Sequence, residues 1–246
     1  MNLGSAGSSN RTPGAERSKT IARKNKLFDD WPDRYDLWFQ TPLGSLIKTC
    51  ERDLIMEFLA PVVGETILDA GCGTGVFTLD IVSSGADVVG LDLSLPMLAK
   101  AASKSQALGF SPVAGDLLCL PFKNGRFHKT VSITALEFIN DARGAVAELF
   151  RVTRRGGLVV LATLNRESPW AERRIREAHE KETIFSKAIF RSPREMLSLA
   201  PFPGIVKTAV HFQKDSTPEA AIHAERQGRE KGLQTGAFVA VRWQKP

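Results

Sequence analysis

The chain has 246 residues, 43% of them apolar and 24% charged; that is enough for one full core, while the longest apolar runs, such as "GLVVLATL", are far too short to span a bilayer. The net charge is +6, which invites a nucleic-acid reading. Residues 1–27, however, carry Arg11, Arg17, Lys19, Arg23, Lys24 and Lys26 against Glu16 alone, leaving 27 of the 33 basic and 26 of the 27 acidic side chains in the body, so the body lacks the basic excess a nucleic-acid binder needs.

The tail, "MNLGSAGSSNRTPGAERSK", is rich in Gly, Ser, Arg and Lys. It has no apolar run of the secretory-signal kind, and disorder is expected over residues 1–27. Two readings stand for it: a solvated tail, or an electrostatic tether to RNA or a membrane surface. Cys50, Cys72 and Cys119 form an odd set without CxxC spacing. That fits free thiols in a reducing compartment, and neither a disulfide framework nor a metal site is expected. The chain is expected to be soluble and cytoplasmic.

Residues 28–246 read as one domain. In residues 28–60, Leu46, Ile47, Leu54, Ile55, Phe58 and Leu59 sit at near-helical spacing and predict a helix over Gly44 to Leu59, ended by Pro61. A regular alternation follows: strand Thr66 to Ala70, helix Gly75 to Ser84, strand Asp87 to Leu91, helix Leu95 to Leu108 with a Ser94 cap and a Gly109 stop, and strand Ser111 to Ala114. Strand His128 to Ile133, helix Asp141 to Val152 and strand Gly157 to Leu164 come next. This rhythm predicts an α/β fold with a mostly parallel, Rossmann-like sheet covered by helices on both faces. Residues 165–200 break it as an insertion, with a charged helix from Trp170 to Glu182 and a short helix after a Ser192 cap and Pro193. Two late strands, near Ile205 to Phe212 and Gly236 to Trp243, flank a polar linker expected to hold a helix; they suggest an edge that closes antiparallel.

The stretch "ILDAGCGTGVFT" places Gly71, Gly73 and Gly75 directly behind the first strand. In an open parallel sheet ligands bind at the carboxyl ends of strands, and glycines there let a ligand approach the backbone. The spacing is not the G-x-G-x-x-G of dinucleotide folds, since position 76 is Val, and no Lys-Ser/Thr of a P-loop follows. Asp69, just before the turn, disfavours phosphate and favours a cationic amine. Asp92, ending the second strand, suits a ribose diol, and Asp116 in "AGDLLCLPF" suits the exocyclic amine of a base. Amine, ribose and adenine in that order describe S-adenosylmethionine.

The segments "ILDAGCGTGVFT", "VVGLDLSLPMLAKA", "GDLLCLPFKNGRF" and "RVTRRGGLVVLATLNRESPW" together resemble the class I S-adenosylmethionine-dependent methyltransferases, especially those of ubiquinone and menaquinone biosynthesis, over about residues 28–170. The resemblance implies a seven-stranded sheet whose last strand is antiparallel. It implies that Ala70, Gly71, Cys72 and Gly73 hold the methionine part by backbone, with Gly75 completing the loop and Asp69 supporting the loop or the amino group. Asp92 would bind ribose, Leu93 and Met97 would flank adenine, Asp116 and Leu117 would read its edge, and Thr134 would line the pocket near the methyl group. S-adenosylhomocysteine would be the product. One departure is Phe127-His128 where the family usually has Phe-Asp; it lies at the strand end away from the cofactor, so only a structural effect is expected.

Methyl transfer from an activated donor needs alignment and exclusion of water more than a nucleophile motif, so no catalytic residue follows from a motif. Glu137 and His179 are the candidates for a general base. "ITALEF" stands where an Asn/Asp-Pro-Pro-aromatic run would signal base-amine methylation, and no Pro-Cys pair signals cytosine chemistry. Trp31, Tyr35, Trp38 and Phe39 form either a lid over cofactor and acceptor, with Tyr35 toward the cofactor and Trp38 toward the substrate, or ordinary helix packing. Asn165 and Trp170 are candidates for the substrate wall. Arg173, Arg174 and Arg176 either hold an acidic substrate or form a solvated face. His211 and His223 lack metal-like spacing. The expected function is methyl transfer to a small-molecule acceptor at O, N or C. The rivals are an RNA or protein methyltransferase that docks through the tail, and a non-catalytic S-adenosylmethionine-binding protein. A nicotinamide oxidoreductase is more distant.

Overall fold

Successive residues of the central strands bury against opposite faces. Ile67, Val131, Val160, Ala162, Phe238 and Ala240 enter one core, while Leu68, Val159, Leu161, Val239, Val241 and Trp243 enter the other. A strand with two apolar faces must be covered on both sides, which forces a three-layer arrangement. The computed structural model describes residues 27–104, 109–181 and 183–246. Nearly all of the expected tail, residues 1–26, and the expected end of the helix at 105–108 lie outside them.

The elements in chain order are α1 (Pro32–Gln40), α2 (Pro42–Leu59), β1 (Thr66–Ala70), α3 (Thr78–Val82), β2 (Asp87–Asp92), α4 (Leu95–Lys104), β3 (Phe110–Ala114), β4 (Phe127–Ile133), α5 (Ala142–Val152), β5 (Thr153–Leu164), α6 (Pro169–Glu180), α7 (Pro193–Leu197), β6 (Gly204–Ala209), α8 (Pro218–Glu230) and β7 (Phe238–Gln244). Short 3₁₀ turns cover Leu136–Phe138 and Ile184–Lys187. Among the described residues the strands form one seven-stranded sheet in the order β3-β2-β1-β4-β5-β7-β6. β1 pairs in parallel with β2 and β4, whereas β7 runs antiparallel to both β5 and β6. The order reverses between β1 and β4, and a crevice opens beyond the carboxyl ends of strands at such a point. One core holds α2 and parts of α3 and α8; the other holds α5 and α7.

Several boundaries differ from the sequence reading for local reasons. Residues 28–60 hold two helices, because the Thr41 hydroxyl accepts from Gly44 N and Pro42 opens a new helix at its first position. The helix expected from Gly75 shrinks to Thr78–Val82, since Gly75 (φ 77°) still belongs to the turn. The strand expected over Ile205 to Phe212 ends at Ala209, where Val210 takes φ 65°. The cap expected at Ser192 is present as a reciprocal pair with Glu195. His128, the departure from the family pattern, accepts the Thr66 N–H at 3.0 Å and ties the starts of β4 and β1 together.

Candidate functional site

Two adjoining cavities open at the carboxyl ends of the strands, of about 880 and 780 Å³. Phe28, Tyr35, Thr134 and Phe138 line both. The first lies over β1, β2 and the turns after β3 and β4, and its walls include Asp69, Gly71, Cys72, Gly73, Asp92, Leu93, Met97, Asp116, Leu117 and Thr134. Parallel pairing in register brings these residues together: Asp69 pairs with Gly90 and Asp92 with Ala114, so the acidic side chains leave the sheet at one end.

The glycine loop is tied to the strand end by Asp92. Its Oδ2 accepts from Gly73 N at 2.8 Å and its Oδ1 from Ser94 N at 2.8 Å. Burial raises its carboxyl above the usual range, opposed by these backbone bonds. Asp69 is 2% exposed. Its Oδ2 accepts from the Thr78 hydroxyl at 2.6 Å, while Oδ1 is buried without a hydrogen-bond partner. Burial pushes its carboxyl up to about 7, against the Thr78 bond and with the help of the Asp92 charge. An orphaned buried acceptor carries a desolvation penalty that a cationic amine relieves. At Gly71 (φ 83°) an added Cβ would meet the Ala135 Cβ at 2.5 Å, so the backbone there must stay bare. Asp116 Oδ1 accepts from Leu118 N at 2.9 Å, holding the turn after β3. This lining is compatible with S-adenosylmethionine: a buried, half-partnered carboxylate suits its cationic amine, and the bare backbone at Gly71 leaves room for close approach.

α1 is fastened over this loop. The Thr74 hydroxyl donates to Asp36 Oδ1 at 2.6 Å, and Lys104 pairs with Asp36 and donates to the Thr74 carbonyl. Phe39 meets Phe77 edge-on at 5.8 Å and Tyr35 edge-on at 5.2 Å, and Tyr35 and Thr134 share the cavity wall. Burial raises the Tyr35 hydroxyl well above its ordinary value. Thr134 itself holds φ 47°, a left-handed conformation unusual for a β-branched residue.

The second cavity is walled by aromatic side chains, including Trp31, Trp38, Phe39, Trp170 and Phe185, and by Glu51, Glu137, Arg173 and Arg174. Glu137 is fully buried. Its Oε1 accepts from Leu164 N at 3.1 Å and its Oε2 is without a hydrogen-bond partner. Burial pushes it up to about 7. Glu51 rises to about 8, chiefly through burial, offset by the charge of Arg174 and aided by that of Glu137.

Other expected residues sit elsewhere. Ala70 and Gly75 line neither cavity; Gly75 packs toward Ala101, at 3.3 Å from an added Cβ. Asn165 is fully buried and donates to the carbonyls of Gln234 and Gly236, both at 2.8 Å, so it joins the end of β5 to the approach to β7. His179 is exposed on α6 and lines neither cavity. Trp170 does line the second cavity, with its Nε1 donating to the Phe212 carbonyl at 2.6 Å. Sequence reasoning missed Glu51, although a signal existed: an acid in the apolar stripe Ile47, Leu54, Ile55, Phe58 of α2.

Strand order, glycine loop and the acids at three strand ends are the arrangement that the sequence resemblance implies, and residues 68–161 match the family described as "Methyltransferase domain". A demethylmenaquinone methyltransferase of Beutenbergia cavernae is 35% identical over 159 residues, covering 65% of each chain. A malonyl-[acyl-carrier protein] O-methyltransferase of Pseudescherichia vulneris is 40% identical over 112 residues, 46% of this chain and 44% of that one. The matches thus span about half to two thirds of these relatives' lengths. Among solved structures, a SAM-dependent methyltransferase of Thermotoga maritima aligns with a TM-score of 0.73 at 20% identity, covering 89% of this chain and 98% of that one. A geranyl diphosphate methyltransferase in complex with SAM aligns at 0.61 and 20% identity, covering 89% and 94%. These likenesses show the shared fold.

Proposed function

We propose that the protein transfers a methyl group from S-adenosylmethionine to a small organic acceptor seated in the second cavity. The single observation that carries this is the pair of adjoining cavities with Tyr35 and Thr134 in their common wall. When bound, the cofactor supplies an activated methyl group. The chain supplies placement: Asp69 for the amine, Asp92 for the ribose, the bare backbone of 71–73 for close approach, and α1 for exclusion of water. Glu137, with its free Oε2 and raised carboxyl, is placed to take a proton from an acceptor hydroxyl or amine.

A cavity of about 780 Å³ suits a small molecule. The relatives' names point to demethylmenaquinone and to a malonyl carrier protein as acceptors of those enzymes; here they support an organic acceptor without fixing which. The test is incubation of the purified protein with isotopically labelled S-adenosylmethionine and a metabolite extract. We expect label in one low-molecular-mass product. Label in RNA or protein, lost on deleting residues 1–27, would favour the docking-tail rival. Cofactor binding without any labelled product would favour a non-catalytic binder.

A further inference from the structure

The three arginines on α6 differ in their partners. Arg176 is exposed, whereas Arg173 lines the second cavity and bonds Glu177 at 2.9 Å. Arg174 lines the cavity as well, with its guanidinium carbon 5.4 Å from the Trp170 ring centre and 5.0 Å from that of Phe185. Its Nη1 is buried with no hydrogen-bond partner. A buried guanidinium N–H left unmet costs more than a neutral donor does. The charge of Arg174 is felt by both Glu51 and Glu137, yet neither carboxylate bonds it among the described contacts. Those two acids are themselves pushed toward the neutral form, so they neutralise Arg174 incompletely.

The rim has the same sign. Lys181, Lys187 and Lys214 are exposed and line the mouth, whereas the one acid there, Glu177, is held by Arg173. The walls between are aromatic. A cationic amine would meet repulsion from the rim and from Arg174; an anion on a flat ring would be steered by the rim, stacked by the walls and bonded at Arg174.

We infer that the second cavity selects acceptors that carry an anionic oxygen group on an aromatic or conjugated body, with Arg174 holding that group. This deepens the reading of the cavity as the acceptor site and rests on it. Carboxylate and phosphate share the required chemistry, and the probes separate them.

The experiment is calorimetry on the full chain with 2-naphthoate, 2-naphthyl phosphate, neutral 2-naphthamide and cationic 2-naphthylmethylamine, each with S-adenosylhomocysteine titrated as a separate control. We expect at least one of the two anions to bind tenfold or more tighter than the amide, and the amine to bind weakest. The tighter anion identifies the group. Arg174→Gln is expected to erase the preference and Arg174→Lys to keep part of it, while Arg176→Gln leaves it intact. Equal binding of anion and amide, preference for the amine, or a preference that survives Arg174→Gln overturns the inference. Failure of every probe in a protein that binds S-adenosylhomocysteine overturns it too, and leaves the cofactor reading standing. If S-adenosylhomocysteine also fails to bind to folded protein, both readings fall.

Discussion

Asp69 and Gly71 lie within three residues of each other and support the first cavity by different physics. Asp69 contributes a charge that burial discourages, so its ionisation should be coupled to ligand. With the free carboxyl near 7, a proton must leave it before a cationic amine is held there. Affinity for S-adenosylhomocysteine should therefore fall as pH drops below about 7, approaching tenfold per unit. Calorimetry from pH 8 to pH 5.5 checks this, and Asp69→Asn should give weaker but nearly pH-independent binding. Gly71 contributes an absence. Its positive φ and the 2.5 Å approach to Ala135 Cβ mean that Gly71→Ala must displace the loop, at a cost of about 1–3 kcal/mol. That corresponds to roughly a fivefold to 150-fold loss in cofactor affinity, with the far-ultraviolet spectrum unchanged. Both residues were legible in sequence, because a glycine run behind a strand and a carboxylate before it have few other uses. Glu51 and Arg174 were harder to find. An acid in an apolar helical stripe is a visible signal, but one arginine among three carries no mark of the direction it faces.

At the scale of elements, caps and joints decide stability separately from binding. α2 ends at Ala60 in the left-handed region, φ 42°, with its N–H bonded to the Met56 carbonyl. Glycine occupies that conformation without a Cβ penalty. Ala60→Gly should stabilise the protein by about 0.5–1 kcal/mol, read as a higher urea midpoint. Asn165 shows the opposite case. Its sequence position at the end of β5 suggests a substrate wall, yet its amide joins that strand to the segment entering β7. Asn165→Ala leaves the buried Gly236 carbonyl and the part-buried Gln234 carbonyl short of a donor and should cost about 1–3 kcal/mol. Affinity for S-adenosylhomocysteine should stay within about twofold of the parent, since the side chain lines neither cavity.

For the whole molecule, three buried carboxyls titrate in the same direction. Asp69, Glu51 and Glu137 have values raised to about 7, 8 and 7, chiefly by burial. A raised carboxyl contributes stability that is fully present below its unfolded value, near 4, and is lost as pH rises through its folded value. The ligand-free protein should therefore lose stability as pH rises from about 4 to about 8 and change little above that, with a slope of up to about 1.4 kcal/mol per pH unit for each group the folded state keeps protonated. Denaturation midpoints measured across that range check the slope, and Glu51→Gln should flatten it. Bound S-adenosylhomocysteine should flatten it as well, through Asp69. Most of the net charge, by contrast, sits in residues 1–27; it governs encounters with other molecules more than it governs folding.

The sequence by itself determined the order and type of the elements, the sheet covered on both faces, and the ligand class at the strand ends. These depend on local periodicity, on glycines and on acids at fixed distances along one strand and the next, and a parallel register carries such spacing directly into space. Only the tertiary structure decided where β7 inserts, that Arg173 and Arg174 rather than Arg176 line the second cavity, and that Asn165 braces the fold while Glu51 on α2 meets the charge of Arg174 on α6. Those outcomes depend on the rotation of helices against the sheet and on contacts between residues about seventy or more positions apart, and no spacing along the chain records them.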